Sequence, residues 1–254
     1  MITPNMDRVC MVQRLGLVDY AAAWKLQEET AARVASGEQP PTLLLLEHLH
    51  TYTLGRRAQA ENLLWDQSEL ERRGVSVHWV DRGGDITYHG PGQLVGYPIL
   101  PLAEPGWQGS HLPQADFVGY LRRLEKTLIQ ALLKWEIVAG QVVGKTGVWI
   151  QPDMASRCPR CDPAKLKAPA KIASIGVKVD VHGVSRHGFA LNVNPDPLYW
   201  QGIVPCGLPD VTMISLSDLL GEAPPMEEVM DAVAAAFREV FGYRLLESIG
   251  DKNN

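Results

Sequence analysis

The sequence predicts an α/β protein of the α+β kind, with a mixed sheet flanked by helices, and three observations carry that expectation. Short apolar runs of strand character, "TLLLLEH", "KIASIGVKVDV" and "SRHGFALNV", are interspersed with long amphipathic segments. The two kinds of segment do not alternate strictly along the chain, which argues against a doubly wound parallel sheet. The chain has 254 residues, 46% of them hydrophobic and 21% charged, which is the composition of a globular protein with one large core. No Gly/Ser-rich linker divides it, so residues 1–254 are expected to form one domain.

Taken in order, "DRVCMVQRLGLV" alternates in part and reads as a strand. "DYAAAWKLQEETAARVASG" reads as a helix with Trp24, Leu26 and Val34 apolar and Gly37 as its stop. "TLLLLEH" is a buried strand, "DQSELERRG" a short charged helix, and "VSVHWV" a strand running into "DRGGDITYHGPGQLVGYPIL". In that stretch Gly83, Gly84, Gly90, Gly92 and Gly96 stand among Asp81, Arg82, Asp85, Tyr88, His89 and Tyr97. A mid-chain glycine costs roughly 0.5–1 kcal/mol relative to alanine, so such a cluster marks a turn or a close backbone approach, in a loop or a pocket. Phe117, Leu121, Leu124, Leu128 and Leu132 then recur at helical spacing and predict a long helix. "GVWI", "KIASIGVKVDV" and "SRHGFALNV" read as strands, with "HGV" as the turn between the last two. A final helix around Met226 to Phe241 buries Val229, Val233, Phe237 and Val240.

Composition and motifs also exclude function classes. The net charge of −5 argues against a nucleic-acid partner. No apolar run approaches the roughly 20 residues of a membrane span, and "MITPNMDRVCMVQRLG" lacks the apolar stretch of a signal peptide, so a cytoplasmic protein is expected. On that basis the four cysteines, Cys10, Cys158, Cys161 and Cys206, are expected to be reduced thiols. "GQVVGKTG" has one residue too few between Gly140 and Gly144 for a phosphate loop and reads as a turn before "GVWI". "GPGQLVG" misses the dinucleotide spacing and precedes a strand where that motif opens a helix, so no nicotinamide cofactor is expected, nor any other. "CPRC" is half of a zinc site without a second pair and reads equally as a polar proline-rich loop; no metal is assigned.

Three side chains have both a plain and a chemical reading. Cys206 in "GIVPCGLPD" is either a small buried hydrophobe or a nucleophile in a constrained loop whose backbone N–H groups can stabilise a thiolate. Lys171 in "APAKIASIGVKV" is either a strand-end lysine with a solvated head or a partly desolvated ammonium serving as a base. Lys178, deeper in the same strand, has the first reading. His89 is a general acid or base, a binding donor, or a hydrogen-bonded turn histidine.

Taken together, "LLLLEHLHTYTLGRR", "RGGDITYHGPGQLVGYP", "GKTGVWI", "KIASIGVKV", "HGFALNVNPD" and "IVPCG" resemble the lipoyl(octanoyl) transferases in order and spacing, from about Leu43 to Gly207. The resemblance implies that Cys206 takes an octanoyl or lipoyl group from acyl carrier protein as a thioester. A lysine of a lipoyl domain, in a 2-oxoacid dehydrogenase or the glycine cleavage H protein, then takes it as an amide. Lys171 is implied as the proton acceptor that activates the cysteine. The implied substrate pocket comprises Arg82, Gly83, Gly84, Asp85, Ile86, Thr87, Tyr88 and His89, then Ser174, Ile175 and Gly176, and Gly188, Phe189 and Ala190, with Tyr88, Ile175 and Phe189 as apolar walls. The implied fold is that of the catalytic domain of biotin and lipoate ligases and class II aminoacyl-tRNA synthetases. Because exchange of thioesters preserves the reactivity of the acyl group, no ATP is expected to be needed. The chain departs from the family in an inserted loop at about 151–170, which carries "CPRC", and in Leu49 and His50 where prolines are usual. An acidic carrier implies a basic docking surface, for which Arg56, Arg57, Arg72, Arg73, Arg122 and Arg123 are candidates. The alternatives are an ATP-dependent lipoate ligase of related fold, which needs no thiol nucleophile, and a noncatalytic acyl-binding protein.

Overall fold

The computed structural model describes residues 8–103, 114–155, 158 and 167–247. β1 (Val9–Val18) leads into α1 (Tyr20–Ser36) and β2 (Thr42–His48). Next come β3 (Thr51–Leu54), α2 (Gln67–Arg72), β4 (Ser76–Trp79), β5 (Ile86–His89) and β6 (Gln93–Ile99). The chain continues through α3 (Gln114–Leu132), β7 (Ala139–Val142), β8 (Lys145–Ile150) and α4 (Pro152–Ala155). β9 (Ala170–Val179) and β10 (Ser185–Asn192) form a hairpin, and α5 (Leu216–Leu220), α6 (Met226–Phe241) and β11 (Arg244–Glu247) follow.

The strands form an eight-stranded sheet, ordered β11-β1-β2-β6-β10-β9-β8-β7, and a three-stranded sheet, ordered β4-β3-β5. In the large sheet β1 runs parallel to β11 and β2, while β2, β6, β10, β9, β8 and β7 pair antiparallel in turn. In the small sheet β3 is parallel to β4 and antiparallel to β5. The mixed sheet is thus as expected from the non-alternating order of segments.

The run "LLLL" in β2 is continuous because both faces of the sheet are covered. Leu43 and Leu45 enter the core beneath α3 and α6, and Leu44 and Leu46 enter a second core with Ala23, Ala31 and Val34 of α1. On α3, Leu124, Leu128 and Leu132 are fully buried, as are Val229, Val233 and Phe237 on α6; Val240 is only partly buried. On α1 the buried stripe is Tyr20, Ala23, Gln27, Thr30, Ala31 and Val34. Trp24 and Leu26, expected on that face, are only partly buried, since they lie at the flanks of the stripe that faces the sheet. Asp19 caps this helix by accepting from Ala22 N–H at 3.0 Å, and Gly37 ends it at φ 77°.

The glycine-rich stretch turns out to be strand, turn and strand. β5 belongs to the small sheet and β6 to the large one, so residues 90–92 carry the chain between sheets. At Gly92 φ is 83°, and a Cβ would lie 2.2 Å from the Asn194 carbonyl oxygen, so only glycine passes there. Of the insertion expected at about 151–170, α4 forms the start; residues 156–157 and 159–166, including Cys161, lie outside the described residues. Cys158 is buried and disulfide-bonded, which corrects the expectation of a reduced thiol. Among the described residues no helix is long and apolar enough to cross a membrane.

Candidate active site

The two residues singled out for chemistry meet. Lys171 Nζ lies 3.2 Å from Cys206 Sγ, although 35 residues separate them. The backbone explains the meeting: Lys171 N–H donates to Thr212 O at 2.8 Å and Lys171 O accepts from Ile214 N–H at 3.0 Å, so the segment following the cysteine is held against the first turn of β9. The pairing of β9 with β8 slips between Val148 and Trp149, and such a bulge re-aims side chains. As a result Lys171 is only 4% exposed, with its ammonium 5.3 Å from the Trp149 ring centroid, which excludes the solvated strand-end reading. Gly147 makes room, for a Cβ there would lie 2.6 Å from Lys171 Cε.

Cys206 occupies a strained turn. Its φ of 59° is in the left-handed region, which costs an ordinary residue about 1 kcal/mol or more and recurs at functional sites. Pro205 and Gly207 flank it, and Gly207 has φ 67°. A Cβ at Gly207 would lie 2.4 Å from Asp85 Oδ2, which also accepts from Asn62 Nδ2 at 2.9 Å, while Asp85 Oδ1 accepts from Ile86 N–H at 2.6 Å. Asn62 O in turn accepts from Val204 N–H at 2.8 Å. Asp85 and Asn62 thereby brace the turn from both sides of the sulfur.

Both residues open onto a cavity of about 450 Å³, within the usual range for a ligand pocket. Of the expected substrate residues, Arg82, Gly83, Gly84, Asp85, Thr87, His89, Ser174, Ile175, Gly176, Gly188, Phe189 and Ala190 line it. Two of the expected segments are cross-strand partners: Ser174 pairs with Ala190, Ile175 with Phe189 and Gly176 with Gly188. Ile86 and Tyr88 do not line the cavity. Strand alternation turns them to the opposite face of β5, where they join Tyr52, Leu54, Trp65 and Tyr199 in a separate core. The Tyr88 wall is therefore corrected; Ile175 and Phe189, joined by Phe117, Leu121 and Leu208, supply the apolar surface. The Phe189 ring lies against Gly96, where a Cβ would be 2.1 Å from the ring.

Away from the sulfur the lining is polar. Arg82 is 7% exposed; it donates to Thr53 O at 2.7 Å, Thr53 Oγ1 at 2.8 Å and Gly83 O at 2.9 Å, with no carboxylate among the described residues in ion-pair contact. Burial pushes its pKa down, opposed by Tyr20, Cys206, Tyr97 and Asp85. His89 is a hydrogen-bonded strand histidine. Its Nδ1–H donates to Gln93 Oε1 at 2.8 Å, Gln93 Nε2 donates to Asn192 Oδ1 at 3.0 Å, and Asn192 Nδ2 donates to Ile214 O at 3.1 Å. Burial holds its pKa well below the ordinary value, so it is neutral near pH 7 and braces the glycine-rich segment against the segment that pairs with Lys171. Lys178 is tied to Asp81 at 2.6 Å, as are Arg186 and His187 at 2.8 Å each; burial opposes the charge of Asp81, but these partners win and push its pKa down.

Sequence reasoning missed Tyr20, Arg57, Tyr97, Gly144, Lys145, Thr146, Val177 and His187 in the lining. Tyr20 and Tyr97 carry no local signal, being the first residue of a helix and a mid-strand position. Gly144, Lys145 and Thr146 had one, the glycine-lysine-threonine run of the rejected phosphate loop. Among the arginines expected to dock a partner, Arg72 and Arg73 are bonded to Glu69, Arg122 to Glu125, and Arg123 lies over Phe241. Arg56 and Arg57 are exposed and make no ion pair among the described residues.

A thiol held against a buried lysine, in a cavity lined jointly by both sheets, is an arrangement suited to an enzyme that works through a nucleophilic sulfur. The model of the lipoyl protein ligase A/B catalytic domain matches residues 19–238, and the chain belongs to that family, in its octanoyltransferase branch. The octanoyltransferase of Chloroflexus aggregans is 41% identical over 242 residues, covering 95% of this chain and 99% of that protein. The octanoyltransferase of Mycobacterium bovis is 45% identical over 226 residues, covering 89% and 84%. Among solved structures, a lipoate-protein ligase A bound with ATP has a TM-score of 0.65 at 14% identity, covering 94% of this chain and 89% of that one. A lipoate protein ligase of Thermoplasma acidophilum, described with its E2 lipoyl domain, has a TM-score of 0.64 at 16% identity, covering 94% and 88%. At such identities the two structures show the shared fold alone.

Proposed function

We propose that the protein moves an octanoyl or lipoyl group from the thioester of an acyl carrier protein to a lysine of a lipoyl domain, through an acyl thioester on Cys206. The observation that carries this reading is the 3.2 Å contact between Lys171 Nζ and Cys206 Sγ in the cavity lining. The Lys171 amine takes the Cys206 proton, and the thiolate attacks the donor's carbonyl carbon. As the tetrahedral adduct collapses, the carbon–sulfur bond to the donor breaks and the departing thiolate takes the proton back from the Lys171 ammonium. The acyl chain remains in the cavity on Cys206. The acceptor lysine's amine then attacks the same carbonyl carbon, an amide forms, the bond to Sγ breaks, and the proton lost by the amine passes through Lys171 to the sulfur.

Every bond formed replaces one of equal or higher energy content, so the sequence of steps runs without ATP. Ile175, Phe189, Phe117, Leu121 and Leu208 give the alkyl chain an apolar wall, and Gly176 and Gly188 let neighbouring backbone pack closely behind the lining. The acceptors are the lipoyl domains of 2-oxoacid dehydrogenases and the glycine cleavage H protein. Incubation with octanoyl-acyl carrier protein in the absence of ATP, followed by intact-mass measurement, tests the reading. One octanoyl increment is expected on the wild type and none on Cys206→Ala; an increment that persists in the variant would overturn the assignment. A strict ATP requirement would favour the ligase chemistry of the structural relatives.

A further inference from the structure

The "GKT" run that fails the phosphate-loop spacing is nevertheless placed where a phosphate would arrive. Gly144, Lys145 and Thr146 form the turn and start of the β7–β8 hairpin and line the cavity, as does Arg57, which follows β3. Both cations are exposed and without an ion pair among the described residues. The nearby Asp85 carboxylate is already engaged by Asn62 and by the Ile86 N–H. Two exposed cations without an ion pair among the described residues therefore line the same cavity, and an anion reaching that part of the lining would meet both charges.

The distances suit a particular anion. Lys145 Nζ lies 5.5 Å from the centroid of the Trp149 ring and Lys171 Nζ lies 5.3 Å from the same centroid, with Cys206 Sγ a further 3.2 Å from Lys171. A phosphopantetheine arm extends roughly 15 Å from sulfur to phosphorus, at about 3.5 Å for every three bonds of an extended chain. The spans from Sγ to Lys145 are together shorter than that arm. A donor whose thioester carbonyl is at Cys206, with its alkyl chain in the cavity, has a thiol arm long enough to reach Lys145, and Arg57 lines the same cavity.

We infer that Arg57 and Lys145 form a phosphate-binding rim that recognises the phosphopantetheine arm of the acyl donor, with the Thr146 hydroxyl as a further donor. The inference rests on the proposed transfer from a carrier thioester and adds the group by which the arm is held. A lysine at a hairpin tip acts as a point charge, and arginine adds a two-pronged donor that matches phosphate oxygens.

The test compares octanoyl-pantetheine with octanoyl-4′-phosphopantetheine on the wild type and on the Arg57→Ala/Lys145→Ala double variant, reading Cys206 acylation by mass. The double variant is expected to raise the half-saturating concentration of the phosphorylated donor about tenfold more than that of the unphosphorylated one, with little change in the maximal rate. Equal effects on the two donors would overturn the inference. Octanoyl-coenzyme A and octanoyl-acyl carrier protein, which share the arm, are both expected to weaken; a loss confined to the carrier protein would mean that the cations read its acidic surface, and would also overturn the inference. Calorimetric titration with unacylated 4′-phosphopantetheine and pantetheine separates the two levels. If phosphate-dependent binding is present but no adduct forms on Cys206, the rim stands and the transfer mechanism fails; if wild type forms the adduct but binds both compounds equally, the rim fails and the mechanism stands.

Discussion

Replacing Lys171 by alanine removes the amine in contact with the Cys206 sulfur and leaves the thiol to ionise unaided. Loss of a positioned base commonly costs 10²–10⁴-fold in rate. The deficit in Cys206 acylation is therefore expected to be largest near pH 7 and to narrow as the pH rises and hydroxide takes over removal of the proton. Measured from pH 6.5 to 9.5, a constant ratio of wild type to variant would leave Lys171 only a positioning role. His48 offers a stability measurement at the same scale. Its Nδ1–H donates to Val18 O at 2.9 Å and its Nε2 accepts from the Tyr97 hydroxyl at 2.7 Å, and burial lowers its pKa from 6.5 to about 4. The unfolded chain binds a proton near pH 6.5 that the folded chain refuses until about pH 4, so stability is whole above 6.5 and declines as the pH falls towards 4, by up to about 3 kcal/mol. His48→Gln is expected to flatten the dependence of the urea midpoint on pH in that window, only in part because His89 and His187 act with the same sign. An unchanged slope would mean that His48 does not titrate in this way.

At the scale of elements, the close approach of β8 to β9 sets the position of the base. Gly147 has φ 126°, its N–H donates to Glu125 Oε1 at 3.1 Å, and a Cβ there would lie 2.6 Å from both Ala173 O and Lys171 Cε. The backbone oxygen cannot yield. Gly147→Ala is expected to cost on the order of 2 kcal/mol or more and to slow acylation by displacing Lys171. Gly144→Ala in the same hairpin is the comparison, since φ is 76° but nothing lies within 4 Å; only backbone strain of about 1 kcal/mol is expected. Equal urea midpoints for the two variants would refute the argument from close approach. Long elements were readable in advance because their periodicity is internal: α3 and α6 lie where the leucine and valine spacing puts them. β3, β5, β7 and β11, of four residues each, were not assigned; β4 is as short but lies within the alternating "VSVHWV", whereas the others form where a neighbour supplies their hydrogen bonds.

For the molecule as a whole, a net charge of −5 coexists with a cationic opening at the cavity. Added salt is expected to raise KM for octanoyl-acyl carrier protein while changing that for a small octanoyl thioester much less. Parallel salt responses would remove electrostatic docking from the account. Arg56 and Arg57 carry this expectation, since Arg72 and Arg73 are engaged by the one Glu69 carboxylate and Arg122 by Glu125.

The residues that line the candidate site were readable because they are residue types within short, ordered motifs: the thiol in "PCG", the lysine in "AKIAS" and the glycines in "RGGDITYHG". The mixed sheet followed from segment order, and the buried β2 from its uninterrupted leucines. Only tertiary structure decided that Lys171 is buried, because that depends on a strand bulge and on a segment some forty residues later pairing with its backbone. It alone turned Ile86 and Tyr88 away from the cavity, since the pattern of β5 does not say which face meets which core. It also placed His89 in a buried hydrogen-bond chain with Gln93 and Asn192, and brought Arg57 and Lys145 into the lining of one cavity. Each of these depends on distances between residues far apart in the chain, which periodicity and motif spacing do not encode.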